Sequence, residues 1–353
     1  MKAAVMTEIK KPLVVQQVED PKPEPDDVIV KVGATGVCRS DWHFWQGDWS
    51  WVGLSPHFPH ILGHEMAGTV AEVGSNVHNV KVGQRVVVPF DLGCGHCRQC
   101  VSGHSNVCEN QVAFGFTING SYAEYVRVPY ADFNVVPLPD EISFTTAASL
   151  GCRYMTAFHG VIDRVQVRPG EWFAVFGTGG VGMAATQIAA SIGARVIACD
   201  IDDQKLNMAK EIGATATVNT KNKQPQEIMQ EIMGITGGGA DCTLDALGIA
   251  ATCVPAILSL RTGGRHLQIG LTSSDQQGIM PIPSDVVVFK EATILGSLGM
   301  QAYRYSDLLG LVASGRLHPE QLISRTIPIE EAGNTLEAMT NFATMGTVVV
   351  DRF

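Results

Sequence analysis

The chain has 353 residues, 45% hydrophobic and 17% charged, which suits a globular protein with a large core and excludes a disordered one. With 25 basic against 35 acidic residues the formal charge is −10, so neither nucleic acid nor an anionic membrane is an expected partner. No apolar run approaches the ~18 residues of a membrane span, and Met1-Lys2-Ala3-Ala4-Val5-Met6-Thr7-Glu8 does not read as a signal peptide.

Up to about residue 150 the pattern is strands and turns. Val28-Ile29-Val30-Lys31-Val32, Gly68 to Val73 and Gly83 to Pro89 are β-branched runs punctuated by glycines. After about residue 153 apolar strands alternate with helix-length segments: Trp172 to Phe176, Arg195 to Cys199, Ala216 to Val218, Asp241 to Ala246, His266 to Ile269 and Thr293 to Leu295. That alternation predicts an α/β architecture, a doubly wound parallel sheet covered by helices on both faces. From about 300 come two helical stretches and a last strand, Thr347-Val348-Val349-Val350, expected to return to the first domain. The predicted division is 1–152 with 297–353, and 153–296.

The strand Trp172 to Phe176 runs into Gly177-Thr178-Gly179-Gly180-Val181-Gly182, and an amphipathic helix pattern follows. Strand, G-x-G-x-x-G and helix in that order predict a dinucleotide loop. Gly177 makes the turn, Gly179 lets backbone approach a pyrophosphate, and Gly182 packs helix on strand. The next strand ends at Asp200, placed to accept hydrogen bonds from a ribose and to repel a 2′-phosphate. Ile201, Asp202 and Asp203 follow with no arginine, so NAD is expected over NADP.

Four of the nine cysteines crowd into fifteen residues, as Cys94, Cys97, Cys100 and Cys108. Without an export signal, this spacing points to metal and a cytoplasmic location more than to disulfides. Four soft ligands close a tetrahedron around zinc and leave substrate no position, which implies a structural role. Paired disulfides, buried free thiols, or His96 or His104 replacing one cysteine are the alternatives.

Cys38, Gly63-His64-Glu65 and Cys152 remain, and each alone reads as a core or loop residue. In fixed order with the lobe and the glycine loop, Cys38-Arg39-Ser40-Asp41-Trp42-His43 and Gly63-His64-Glu65-Met66-Ala67-Gly68 resemble the zinc-containing medium-chain alcohol dehydrogenases of the microbial NAD-dependent type. The resemblance spans nearly the whole chain. It implies a GroES-like β-rich catalytic domain beside the doubly wound Rossmann sheet, two zinc ions per chain and NAD. It implies that Cys38, His64 and Cys152 hold a catalytic zinc with an open fourth position. Glu65 would stand beside the metal and take part in ligand exchange there, Asp41 would orient His64, and Ser40 and His43 would relay the proton through the nicotinamide ribose. Arg39, Thr156, Gly180, Val181, Lys205, Ile269 and Gly270 would contact the cofactor with the glycines and Asp200. Zinc lowers the pKa of bound water from ~15.7 to ~7, so at ~1.36 kcal/mol per unit it offers on the order of ten kcal/mol to oxyanion chemistry.

Trp42, Trp45, Trp49 and Trp51 fall within ten residues, and loop packing competes with a pocket role for each. Trp49 and Phe90 match pocket positions of the family, which implies an apolar primary alcohol or aldehyde as substrate. Related zinc dehydrogenases for secondary alcohols, polyols or amino-alcohols are the nearest alternative, and a non-catalytic zinc- and dinucleotide-binding redox sensor is a more distant one. His57, His60 and His78 read as surface groups or as groups behind the metal ligands, and Cys199, Cys242 and Cys253 as core thiols. The family's arginine near the last strand has Thr347 in its place, with Arg352 further on, so no C-terminal cofactor contact is assigned. No long insertion separates Cys108 from Cys152, a resemblance to the microbial tetramers.

Overall fold

The computed structural model describes residues 1–274, 276–341 and 345–353, and the chain divides into two compact units, 1–155 with 299–353, and 156–298. In the first unit the long strand Val28–Val37 lies central among the described residues of a seven-stranded sheet. It pairs antiparallel with Glu65–Val73, with Tyr125–Val128 and with the last strand Thr347–Arg352, where Val349 faces Gly36. The last strand in turn pairs parallel with Ile323–Pro328. Alternation puts Val28, Val30, Val32, Met66, Val70, Val86, Val88 and Phe114 into one buried cluster, the barrel-like core of the unit. Thr347 is itself buried, and the Arg352 guanidinium bonds its neighbour Asp351.

The second unit carries six parallel strands: Trp172–Phe176, Arg195–Asp200, Ala216–Asn219, Ala240–Asp245, Leu260–Gln268 and Thr293–Gly296. Numbered along the chain, their spatial order is 3-2-1-4-5-6, with the strand direction shared throughout. That is the doubly wound order whose reversal lies beside the first strand, where dinucleotide loops sit. The fifth strand begins at Leu260, earlier than the apolar run His266 to Ile269 implied. A register shift between Ala240 and Cys242 marks an irregularity in its pairing with the fourth strand. Cys199, Cys242 and Cys253 are buried free thiols. Among the described residues no helix is long and apolar enough to cross a membrane.

The helix Gly180–Ser191 packs on the strands through Met183 to Ala189, all buried. Gly182 permits that approach, because a Cβ there would overlap the Gly177 carbonyl oxygen. Around Gly179 nothing lies within 4 Å of such a Cβ. The two glycines therefore separate experimentally: G182A should lower unfolding stability by about 1–3 kcal/mol through overpacking. G179A should cost about 1 kcal/mol or less, with the denaturant midpoint as the readout.

Candidate active site

In the first unit Cys38 caps the helix Arg39–Gln46, and Asp41, three residues on, folds back to accept the Cys38 N–H at 3.2 Å. The Asp41 carboxylate also accepts from Gly63 N–H at 3.0 Å, from Tyr122 O–H at 2.9 Å and from His64 Nδ1 at 2.8 Å. A carboxylate so used is an acceptor, so Nδ1 carries the imidazole proton and the Nε2 lone pair is left free. Nε2 is buried without a hydrogen-bond partner. It meets the Cys38 and Cys152 sulfurs and the Glu65 carboxylate in a group whose ligand atoms all lie within 4.8 Å of one another. Two thiols and an oriented imidazole nitrogen around a buried volume are a donor set that fits zinc.

Glu65 is fully buried, and burial pushes its carboxyl up to about 7 even with the Arg153 guanidinium beside it. Arg153 grips it with its backbone N–H and Nε on Oε1, at 3.2 and 3.1 Å, and with Nη2 on Oε2. Ser40 Oγ stands 4.0 Å from Cys152 Sγ. His43 bonds Asp48 through Nδ1 at 2.7 Å and stacks on Trp49, ring centroids 5.7 Å apart. Burial pulls the His43 pKa below its usual value, although the Asp48 bond and charge oppose this; the Arg39 cation works with burial. Arg39 itself donates to the Met339 carbonyl at 2.9 Å and lies over the Trp42 ring.

The four neighbouring tryptophans divide by environment. Trp45 is buried and donates to the Lys11 carbonyl, Trp42 donates to Thr340 Oγ1, and Trp51 is exposed. Trp49 turns toward the cluster: it packs edge-on against Phe116, and Phe116 lies 4.8 Å from the His64 ring. Phe90 also meets the His64 ring, with centroids 5.6 Å apart. Of the three outer histidines, His57 and His78 are exposed, and His60 is buried against Phe44.

A second convergence unites Cys94, Cys97, Cys100 and Cys108, all buried and free of disulfides, with ligand atoms within 4.8 Å of one another. N–H groups of Cys94 and Asn110 point at Cys108 Sγ, and that of Cys100 at Cys97 Sγ. Such donors stabilise thiolates, which suits a metal better than neutral thiols. His96 bonds the Cys94 carbonyl and His104 bonds Ser102, so both rings are engaged outside the sulfur group.

In the second unit the N–H groups of Gly180, Val181 and Gly182 open the helix after Gly179 and lack partners within it. Asp200 ends the second strand and accepts from Thr178 N–H and Oγ1–H at 2.7 and 2.8 Å, and from the Ile201 and Asp202 amides. Lys205 lies half-buried on the helix Asp203–Glu211. Ile269 and Gly270 follow the fifth strand, their N–H groups donating to the Asp245 carbonyl. Thr156 is buried, its hydroxyl without a partner.

Sequence reasoning passed over Arg153, Tyr122, Asp48 and Phe116. The only local signals were a charge directly after Cys152 and an aromatic beside Gly115 in Phe114-Gly115-Phe116.

Residues 24–140 match the alcohol dehydrogenase GroES-like domain model and residues 180–314 the zinc-binding dehydrogenase model. An alcohol dehydrogenase of Geobacillus stearothermophilus is 36% identical over 351 residues, covering 99% of both chains. An L-threonine 3-dehydrogenase of Xanthomonas axonopodis pv. citri is 32% identical over 339 residues, covering 94% of each. A solved NAD-dependent alcohol dehydrogenase superposes with a TM-score of 0.87 at 32% identity, covering all of both chains.

The Asp48 carboxylate holds the His43 ring and favours its cation, so removing that charge should lower the His43 pKa further. In D48N the imidazole resonance of His43, followed by proton NMR, should titrate at lower pH than in the unmodified protein. A midpoint unmoved or raised would leave Asp48 without this role.

Proposed function

This chain belongs to the zinc-containing medium-chain alcohol dehydrogenases, and on that premise we propose that it interconverts an apolar primary alcohol and its aldehyde with NAD. The observation that carries the reading is the His64 imidazole, locked by Asp41, grouped with Cys38 and Cys152, and flanked by the rings of Phe90 and Phe116, with Trp49 against Phe116. When bound there, zinc supplies Lewis acidity that makes an alcohol proton labile, and NAD supplies the hydride acceptor.

The chain's residues do the rest. Cys38, His64 and Cys152 hold the metal, and Asp41 keeps the His64 ring in the ligating tautomer. Ser40 would take the alcohol proton, and His43 would pass it outward. A histidine whose pKa lies below its usual value is neutral near pH 7 and ready to receive it. The aromatic wall excludes water and gives a polyol no hydrogen-bond partners, which supports an apolar substrate. Gly177, Gly179 and the N–H groups of Gly180, Val181 and Gly182 would receive the pyrophosphate. Thr156, Ile269 and Gly270 serve the nicotinamide end, and Asp200 with Lys205 binds the adenosine ribose. Asp200, with no arginine in Ile201-Asp202-Asp203, supports NAD over NADP. Cys94, Cys97, Cys100 and Cys108 hold the structural zinc. A cytoplasmic homotetramer completes the reading, supported by the short stretch between Cys108 and Cys152.

A panel of primary, secondary and amino-alcohols with NAD and NADP tests this reading. The expected result is turnover of apolar primary alcohols with NAD and two zinc ions per chain by elemental analysis. One zinc per chain and no turnover would instead make it a binding protein. W49A should widen the accepted alcohols, and an unchanged profile would remove Trp49 from the pocket.

A further inference from the structure

We propose that Arg153 is a positioning residue of the reactive centre, holding the Glu65 carboxylate away from the metal so that the fourth coordination position stays open. This rests on the reading of the centre as a substrate-binding zinc site. Four ligand atoms, from Cys38, His64, Glu65 and Cys152, lie within 4.8 Å of one another, yet turnover requires three. Four such donors would close the tetrahedron as fully as the cysteine lobe does and leave an alcohol no place.

Arg153 is the group that engages the Glu65 carboxylate and none of the other three. Its backbone N–H and Nε take Oε1 and its Nη2 takes Oε2, so both carboxylate oxygens are engaged by one residue. The planar fork of guanidinium fixes a carboxylate's direction as well as its charge, which an ammonium does not. Placement directly after Cys152 lets one helical start deliver both a metal ligand and the restraint on its competitor. The backbone is cut to admit the pair. A Cβ on Gly36 would overlap Glu65 Oε2 and stand 3.1 Å from Arg153 Nη2, and a Cβ on Gly151 would overlap the Glu65 side chain. Charge accounting agrees: two thiolates balance a divalent cation, so the buried Glu65 needs a separate cation, and Arg153 supplies it.

The test uses protein carrying cobalt(II) at the Cys38–His64–Cys152 site and zinc in the cysteine lobe. In R153M the visible d–d bands should shift as Glu65 joins the metal, and alcohol turnover should fall roughly tenfold to a hundredfold. In the double variant E65Q/R153M the bands should return to their unmodified position, a rescue that a merely structural ion pair would not produce. Unchanged bands in R153M, or shifted bands that E65Q fails to restore, would overturn the proposal. If R153M does not fold, R153K keeps the charge without the fork: shifted bands support the proposal and unchanged bands refute it. Unmodified protein that shows the cobalt bands but turns over no alcohol would defeat the assigned reaction and leave the spectral test of Arg153 standing.

Discussion

The Asp41 carboxylate is the point on which the reactive centre depends. It has no exposed surface, and burying an uncompensated carboxylate costs several kcal/mol even after relaxation. Four donors offset that cost: two backbone amides, a phenol and an imidazole. They come from the start of one helix, from the turn before a central strand, and from a loop residue more than fifty positions on. Each bond therefore fixes a different segment relative to the same two oxygens. Losing any one leaves Asp41 under-satisfied, so the segments are bound to one another as well as to the carboxylate. His64 inherits its orientation from that arrangement.

The two groups of side chains that could hold a metal illustrate different ways of building a site. The cysteine lobe is local: four sulfurs within fifteen residues, with nearby amides directed at two of them. Its geometry needs little from the rest of the fold. The reactive cluster draws Cys38, His64 and Cys152 from three distant segments, and its precision comes from the partners around them. The lobe is complete in its own ligands, whereas the cluster has one donor too many and is shaped by what restrains it.

This difference also explains what could be read before the structure. The doubly wound sheet, the glycine loop and the lobe were legible because each is written in contiguous residues whose spacing is itself the geometry. The gathering of Cys38, His64 and Cys152 was legible only through likeness to a family, since no local rule joins residues more than a hundred positions apart. Arg153 was invisible because its meaning lies in Glu65, 88 positions away. Tyr122 and Phe116 were hidden for the same reason, as ordinary aromatics until the fold sets them beside Asp41 and His64. The tryptophan cluster was ambiguous in sequence because four identical side chains took different environments, decided by tertiary packing. The early start of the fifth strand was missed because Arg261 to Arg265 is polar and glycine-rich and lacks the apolar run that marks a buried strand.

The stacking of Trp49 on His43 ties two traits that an enzyme engineer would treat separately. The indole meets Phe116 edge-on and stacks on the imidazole that Asp48 holds. Any lineage that enlarges the wall at this position also loosens the ring beside it. Breadth of substrate and acid–base tuning then drift together under selection, and restoring one calls for a compensating change near the other. The indole makes this a single evolutionary degree of freedom where a chemist would count two.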